Sequence, residues 1–337
     1  SDLTRRADWG LLFLRSESYY TVPVTFIDAN SGQTLFSRDY TGRNIAHLLQ
    51  GSVSYPFDRI RSVRMHMGVR QDVLDFKAQD TLSLAFLPRE HQYWALSRAE
   101  YVFDNSIAPT VNIRQGFRYK FFAEYIYLLS KGNGGCYNLG TDMRYYHKIY
   151  KNLIAATRLA AAHSAGNHKI LYYLGGVDNW IAPKFNQYSP PSSDGNFAFQ
   201  TLATNMRGYT QNARNGSTYA VFNGEVRFPV VASFIKRPIQ SALLRHLQLV
   251  PFVDVGSAWN GLLPNAENSS AKYSFGPDQQ APNVSVNMTV PGSGGLAMGY
   301  GTGLRTMVFS YFLRLDAAWN IEGRTKPIWY FSIGTDF

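Results

Sequence analysis

The residues Trp329-Tyr330-Phe331-Ser332-Ile333-Gly334-Thr335-Asp336-Phe337 decide the fold. Odd positions carry Trp, Phe, Ile, Thr and Phe, whereas even positions carry Tyr, Ser, Gly and Asp. A period of two is that of an extended strand with one oily and one wet face. The pattern continues upstream. Leu313, Leu315, Ala317 and Trp319 share one face, and Arg314, Asp316 and Asn320 the other. Over 113–127, Phe117, Tyr119, Phe121, Ala123, Tyr125 and Tyr127 oppose Arg114, Gly116, Arg118, Lys120, Phe122 and Glu124. In water such an aromatic band would be a large exposed patch, and in a core the charges behind it would be buried unpaired. A wall with lipid on one side and a polar interior on the other satisfies both faces.

Composition leads to the same place. The chain of 337 residues holds 22 Tyr and 22 Phe, and only 17% of it is charged, below the quarter usual for soluble domains. Yet mean hydropathy is −0.22 and no run approaches the length of a transmembrane helix. Strands that alternate lipid-facing and lumen-facing residues reconcile these counts. The fold class expected is therefore all-β, a transmembrane antiparallel β-barrel of a bacterial outer membrane. The single cysteine, Cys136, cannot build a disulfide framework or a cysteine metal site. The net charge of +10 is spread singly along the alternating segments. It suits a basic interior, or loops meeting outer-membrane lipids and lipopolysaccharide, better than a nucleic-acid groove. The opening Ser1-Asp2-Leu3-Thr4-Arg5-Arg6 is no signal peptide, so a mature or truncated start is expected.

About twelve strands are expected, over 8–17, 46–56, 60–72, 92–104, 112–128, 137–148, 152–164, 218–230, 247–260, 295–308, 311–321 and 328–337. Short connections at 56–59, 148–151 and 310–311 alternate with long polar stretches at 18–45, 73–91, 165–217 and 261–294. Short turns on one side and long loops on the other fit periplasm and exterior.

The stretch 165–217 is too long to be mere connection. It contains Leu171-Tyr172-Tyr173-Leu174-Gly175-Gly176, then Asn205-Met206-Arg207-Gly208-Tyr209. Asn223-Gly224-Glu225-Val226-Arg227-Phe228-Pro229 and Pro251-Phe252-Val253-Asp254-Val255-Gly256-Ser257-Ala258-Trp259 follow, and then a last strand ending in Phe. In this order, over about residues 46–337, the segments resemble the BamA/TamA-type outer-membrane assembly barrels, also called the bacterial surface antigen family. The turn Tyr55-Pro-Phe-Asp-Arg59, Leu174-Gly-Gly-Val-Asp-Asn-Trp180 and Thr201-Leu-Ala-Thr-Asn-Met-Arg-Gly-Tyr209 are similar to barrels that Bacteroidota-type bacteria fuse to a TolB-like propeller.

The resemblance implies sixteen strands, with the missing ones and any periplasmic domain lying before residue 8. It also implies that the Arg207-Gly208-Tyr209 tip folds back into the barrel, where Arg207 pairs with Asp254. Alternation independently puts Asp254 on the face opposite Trp259, and gives Glu225 and Arg227 the same inward parity. Their alternatives are a solvated loop arginine and ordinary mutually neutralising wall charges. Phe331, Ile333, Gly334 and Phe337 are the strand signal expected at the C-terminal end.

Catalytic patterns are not found: there is no nucleophile elbow and no phosphate loop. Gly299-Tyr300-Gly301-Thr302-Gly303 alternates along a strand and reads as small residues clearing room for an inserted loop. His163 and His168 have no acidic or cysteine partner at ligand spacing. Luminal Glu124, Asp142, Glu225, Asp254 and Asp316 are outnumbered by Arg64, Arg70, Arg114, Arg118, Lys120, Arg158, Arg227 and Arg314, as paired wall charges would be. The expectation is a protein with no catalytic residue, metal or cofactor. It would assist insertion or translocation of proteins in a complex with other outer-membrane or periplasmic proteins. The alternatives are a barrel anchor for a periplasmic domain or partner lipoproteins, and a diffusion pore.

Overall fold

A computed structural model of the chain describes residues 6–27, 34–76, 90–130, 134–186, 197–235, 237–264, 271–275, 286–290, 295–323 and 325–337. The wall strands are β1 (Asp8–Ile27), β2 (Thr34–Pro56), β3 (Arg61–Phe76), β4 (Glu90–Asp104), β6 (Ile113–Leu128), β7 (Gly135–Tyr150) and β8 (Leu153–Gly166). After the long loop come β12 (Thr218–Pro229), β13 (Gln248–Trp259), β16 (Ala297–Val308), β17 (Tyr311–Asn320) and β18 (Ile328–Ile333). Each pairs with its neighbour in the order β1-β2-β3-β4-β6-β7-β8-β12-β13-β16-β17-β18, and the short β5 (Ile107–Thr110) adds to β6. This is the up-and-down order that two-residue and other short hairpins allow. The twelve wall strands are those expected from the alternation.

The tight turns have local causes. Phe309 and Ser310 join β16 to β17 with φ of 47° and 67°, the double left-handed geometry that matches strand twist in a two-residue hairpin. Between β2 and β3, Asp58 Oδ1 accepts hydrogen bonds from the Ile60 and Arg61 amides at 2.9 and 2.8 Å. The β12–β13 connection folds into two short helices, α1 (Val230–Phe234) and α2 (Ala242–Arg245).

Two compact units are distinguished, one of residues 1–56, 63–99 and 124–135, the other of 57–62, 100–123 and 136–337. The first holds the β1–β2 hairpin, whose register runs from Asp8↔Ser54 to Phe26↔Phe36. Here the expectation of a loop over 18–45 is corrected: most of it is strand. The sequence is rich in aromatic and β-branched residues there, which suit a long extended hairpin. Of the stretch 73–91, β3 runs on to Phe76 and β4 begins at Glu90, while 77–89 lies outside the described residues.

In the second unit the alternation is plain. Phe222, Tyr300, Trp329, Phe331 and Ile333 are exposed on the outer face, while Asp254, Arg305, Asp316, Tyr330 and Ser332 are buried on the inner one. The stretch 165–217 carries its own three-stranded sheet, in which β9 (Lys169–Leu174) lies between β10 (Phe197–Leu202) and β11 (Arg214–Gly216). The stretch 261–294 includes a hairpin of β14 (Ala271–Phe275) and β15 (Val286–Val290), and 265–270, 276–285 and 291–294 lie outside the described residues.

A second correction concerns the C-terminal end. The last strand was expected to run to Phe337 with that ring on the oily face. It stops at Ile333 instead, Gly334 turns with φ +127°, and Phe337 is buried inside against Ile113, Tyr146, Ile154 and Ala156. The cause is charge. Buried Arg305 donates to Asp336 at 2.9 Å, and Arg227 donates to the Phe337 backbone oxygen at 2.8 Å. Both would lose a partner if the tail continued along the sheet.

Candidate functional site

The site is built where the long loop meets the inner faces of β12, β13, β16, β17 and β18. Alternation along β13 turns Phe252, Asp254 and Gly256 inward, and along β12 it does the same for Asn223, Glu225 and Arg227. Arg207 reaches them from the loop. Its Nε and Nη2 grip the two oxygens of Asp254 at 2.7 Å each, a bidentate fork. Its Nη1 donates to Glu225 at 2.7 Å, and its backbone amide donates to Asp254 at 2.9 Å. The guanidinium carbon lies 3.6 Å from the centre of the Phe252 ring, a desolvated cation–π contact. Arg207 is 4% exposed and Asp254 0%, so the pair is held out of water and each charge depends on its partners.

The network continues in alternating sign. Glu225 accepts from Arg227 at 3.0 and 3.1 Å, and Asn223 donates to both Asp254 and the Asn205 carbonyl. A second chain runs Asp316–Arg305–Asp336–Arg314–Asp178. Within it, Arg305 Nη2 and Asp316 Oδ1 are 2.9 Å apart but not aligned as a hydrogen bond. We therefore count that contact as charge attraction only. Asn112, left-handed at φ 65°, links the two chains. Its amide donates to Asp336 at 2.9 Å and its carbonyl accepts from Arg227 at 3.1 Å. Placing these buried charges beside opposite charges is how a low-dielectric interior can hold so many of them.

Close backbone approach completes the seat. Gly208 takes φ +94°, its amide donates to the Tyr330 hydroxyl at 2.9 Å, and that hydroxyl donates to the Tyr209 carbonyl at 2.7 Å. A Cβ on Gly299 would collide with the Arg207 carbonyl, and one on Gly208 with the Trp319 carbonyl. Of the alternating glycines of β16, only Gly299 clears space for the loop tip, whereas Gly301 faces Phe252 and Ala317 and Gly303 faces Asp316 and Arg305. Tyr209 stands over β16, where its hydroxyl accepts from the Met298 amide at 3.1 Å.

Sequence reasoning had named Arg207, Gly208, Tyr209, Asp254, Glu225 and Arg227, and the structure brings all six together. Phe331 and Ile333 lie on the outer face of β18, Gly334 bends the chain, and Phe337 lies apart from the others on that list, turned inside. Asn223, Tyr330, Arg305, Asp336 and Asn112 were not singled out. Parity could have found the first three, since each lies on the inward face of its strand, whereas Asp336 lies beyond the bend at Gly334, where parity no longer holds. Asn112 carries no such signal because it sits in a turn. Other wall charges also pair, as when Asp142 lies between Arg144 and Arg158 at 2.8 and 2.7 Å.

Comparison with known proteins agrees with this architecture. The Omp85 superfamily domain matches residues 51–337. No curated protein matches the chain. Among solved structures, BamA from Haemophilus ducreyi lacking POTRA domains 1–3 is similar with a TM-score of 0.52 at 13% identity, over 98% of this chain and 70% of that one. CdiB from Escherichia coli is similar with a TM-score of 0.53 at 12% identity, over 96% of this chain and half of that one. At such identities these likenesses speak for the fold, whereas the domain match covers most of the sequence. The chain belongs to the Omp85 superfamily, and it is an outer-membrane β-barrel protein.

Proposed function

We propose that this barrel assists the insertion or translocation of other proteins at the outer membrane, without a catalytic residue, through the seam between its first and last strands. The observation that carries the reading is the match of residues 51–337 to the Omp85 superfamily domain, on a wall whose long loop is seated by Arg207 on Asp254 and Glu225. A barrel seam that offers backbone groups to a client strand needs no catalytic residue. A pore is disfavoured by the loop tip held on the inner face of β12 and β13 through Arg207, Asp254 and Glu225. Working partners on this reading are other outer-membrane or periplasmic proteins in a complex, with lipid and lipopolysaccharide around the wall.

The test is reconstitution of the full-length protein in liposomes and addition of a small outer-membrane barrel unfolded in urea. The folding rate of that client should rise in proportion to the protein present. A rate equal to that of empty liposomes would overturn the reading and leave the anchor role.

A further inference from the structure

The connection 230–247 between β12 and β13 leaves the same rim as the two-residue turns 151–152 and 309–310. Arg227 pairs with Ile154 beside the first turn, and Gln248 with Arg305 beside the second. That rim is the one read as periplasmic. The connection folds against the outer side of the wall. The Phe234 ring stands edge-on to Phe228, with centroids 6.0 Å apart. The Thr306 hydroxyl donates to the Leu243 carbonyl at 2.7 Å. Arg227 and Arg305 are buried on the inner face, so their chain neighbours Phe228 and Thr306 point outward, to lipid. The Val230 amide closes the base on the Leu247 carbonyl at 3.1 Å.

What this connection presents is apolar and basic. Phe234 is 76% exposed, and Ile235, Leu243 and Leu244 are exposed as well. On the same rim Phe309, 92% exposed, tips the next hairpin three residues beyond Thr306. Between Glu225 and Asp254 the sequence has no acidic residue, while Lys236, Arg237 and Arg245 fall within the connection. Arg237 and Arg245 are exposed. Arg245 Nε and Nη2 donate to the carbonyls of Ile239 and Gln240 at 3.0 and 3.2 Å, which fixes its guanidinium at the surface. We propose that residues 230–247 are an interfacial anchor in the periplasmic leaflet that gathers anionic phospholipid headgroups on Arg237 and Arg245. Apolar side chains continuous with a lipid-facing wall, with cations and no anions among them, match the boundary between acyl chains and anionic headgroups. The anchor goes beyond the assembly reading and does not depend on it, because it pins one side of the rim in an assembly barrel and a passive one alike.

The test uses the full-length protein in vesicles of phosphatidylcholine and phosphatidylglycerol. A bimane is attached at Leu243→Cys in a Cys136→Ala background. The reference is the same label at Tyr300→Cys, on the outer face of β16 about 20 Å from Thr306. One or the other lipid carries bromine in its acyl chains, and quenching of the bimane is measured. Both labels should be quenched, and the label at Leu243→Cys should prefer brominated phosphatidylglycerol. Arg237→Gln should lower that preference about fivefold, the factor for one basic side chain near an anionic surface. Raised salt should lower it in wild type without any change at the arginine.

Equal quenching by both lipids at Leu243→Cys, indifferent to Arg237→Gln and to salt, overturns the anionic site and leaves an apolar patch wetted by bulk lipid. Absence of quenching there by either lipid overturns the anchor itself. In that case a charged maleimide that reacts freely with the unlabelled cysteine places the connection in water. A maleimide that is also excluded shows that protein covers the patch.

Discussion

Arg207→Ala is the most informative single change. It removes the fork on Asp254, the contact to Glu225 and the stacking on Phe252. The two carboxylates do not suffer equally. Glu225 keeps both bonds from Arg227, whereas Asp254 keeps only the Asn223 amide and the backbone amide at position 207. Breaking a buried pair from one side costs about 3–5 kcal/mol, and the surviving partners place this case near the lower end. Arg207→Lys retains charge but not the fork, and should lose about 1–2 kcal/mol. Because Asp254→Ala removes the stranded charge, the double variant Arg207→Ala with Asp254→Ala should be more stable than the sum of singles by about 2 kcal/mol. Simple charge reversal should recover less, since an acid at 207 would face Glu225. The assays are equilibrium guanidinium unfolding in bilayers, followed by tryptophan fluorescence, and trypsin cleavage after Arg214, whose side chain is tied to Glu322. A loss below about 1 kcal/mol with Arg214 still protected would show that the ion network does not seat the loop.

Gly299→Ala puts a methyl against the Arg207 carbonyl, backbone against backbone. It should cost at least about 2 kcal/mol and expose the loop to trypsin as Arg207→Ala does; a folded variant with a protected loop contradicts this. Asp336→Asn weakens the partner of Arg305 and Arg314, so stability in the same assay should fall by about 3 kcal/mol. An unchanged stability would show that residues 334–337 are not held by charge. Asp58 concerns pH. The Ile60 amide, with Arg61, holds its carboxyl below the usual carboxylate range. A depressed folded pKa gives stability that is present above the unfolded pKa, about 3.9, and is lost as pH falls through the folded value. The melting difference between wild type and Asp58→Ala should therefore be constant from neutral pH down to about 5 and shrink in stronger acid. A difference unchanged at the most acid pH the bilayer tolerates would exclude this origin.

The wall was legible because lipid imposes a rule on each residue separately. An outward position must be apolar and its neighbour must point inward, so Trp329, Phe331 and Ile333, or Phe252, Asp254 and Gly256, declare their faces by parity alone. The same parity placed Asp254, Glu225 and Arg227 inside, and the ordered motifs brought Arg207 to them. Where the rule weakens, the reading failed. The β1–β2 hairpin continues through 18–45, a stretch that polar residues and Pro23 make look like loop, because its aromatic and β-branched residues still favour extended backbone paired across the hairpin. Alternation gave Phe337 to the oily face, yet buried Arg227 and Arg305 draw the tail inward beyond Gly334. That choice depends on charges more than a hundred residues away in the case of Arg227, and no local pattern encodes it. The same holds for Asn112 between the two ion chains and for Asn179 and Ile181, which donate to carbonyls of β18. Local hydropathy fixes which way a side chain points, whereas which buried charge meets which, and which strand the loop meets, is decided only when the loop and the wall are folded together.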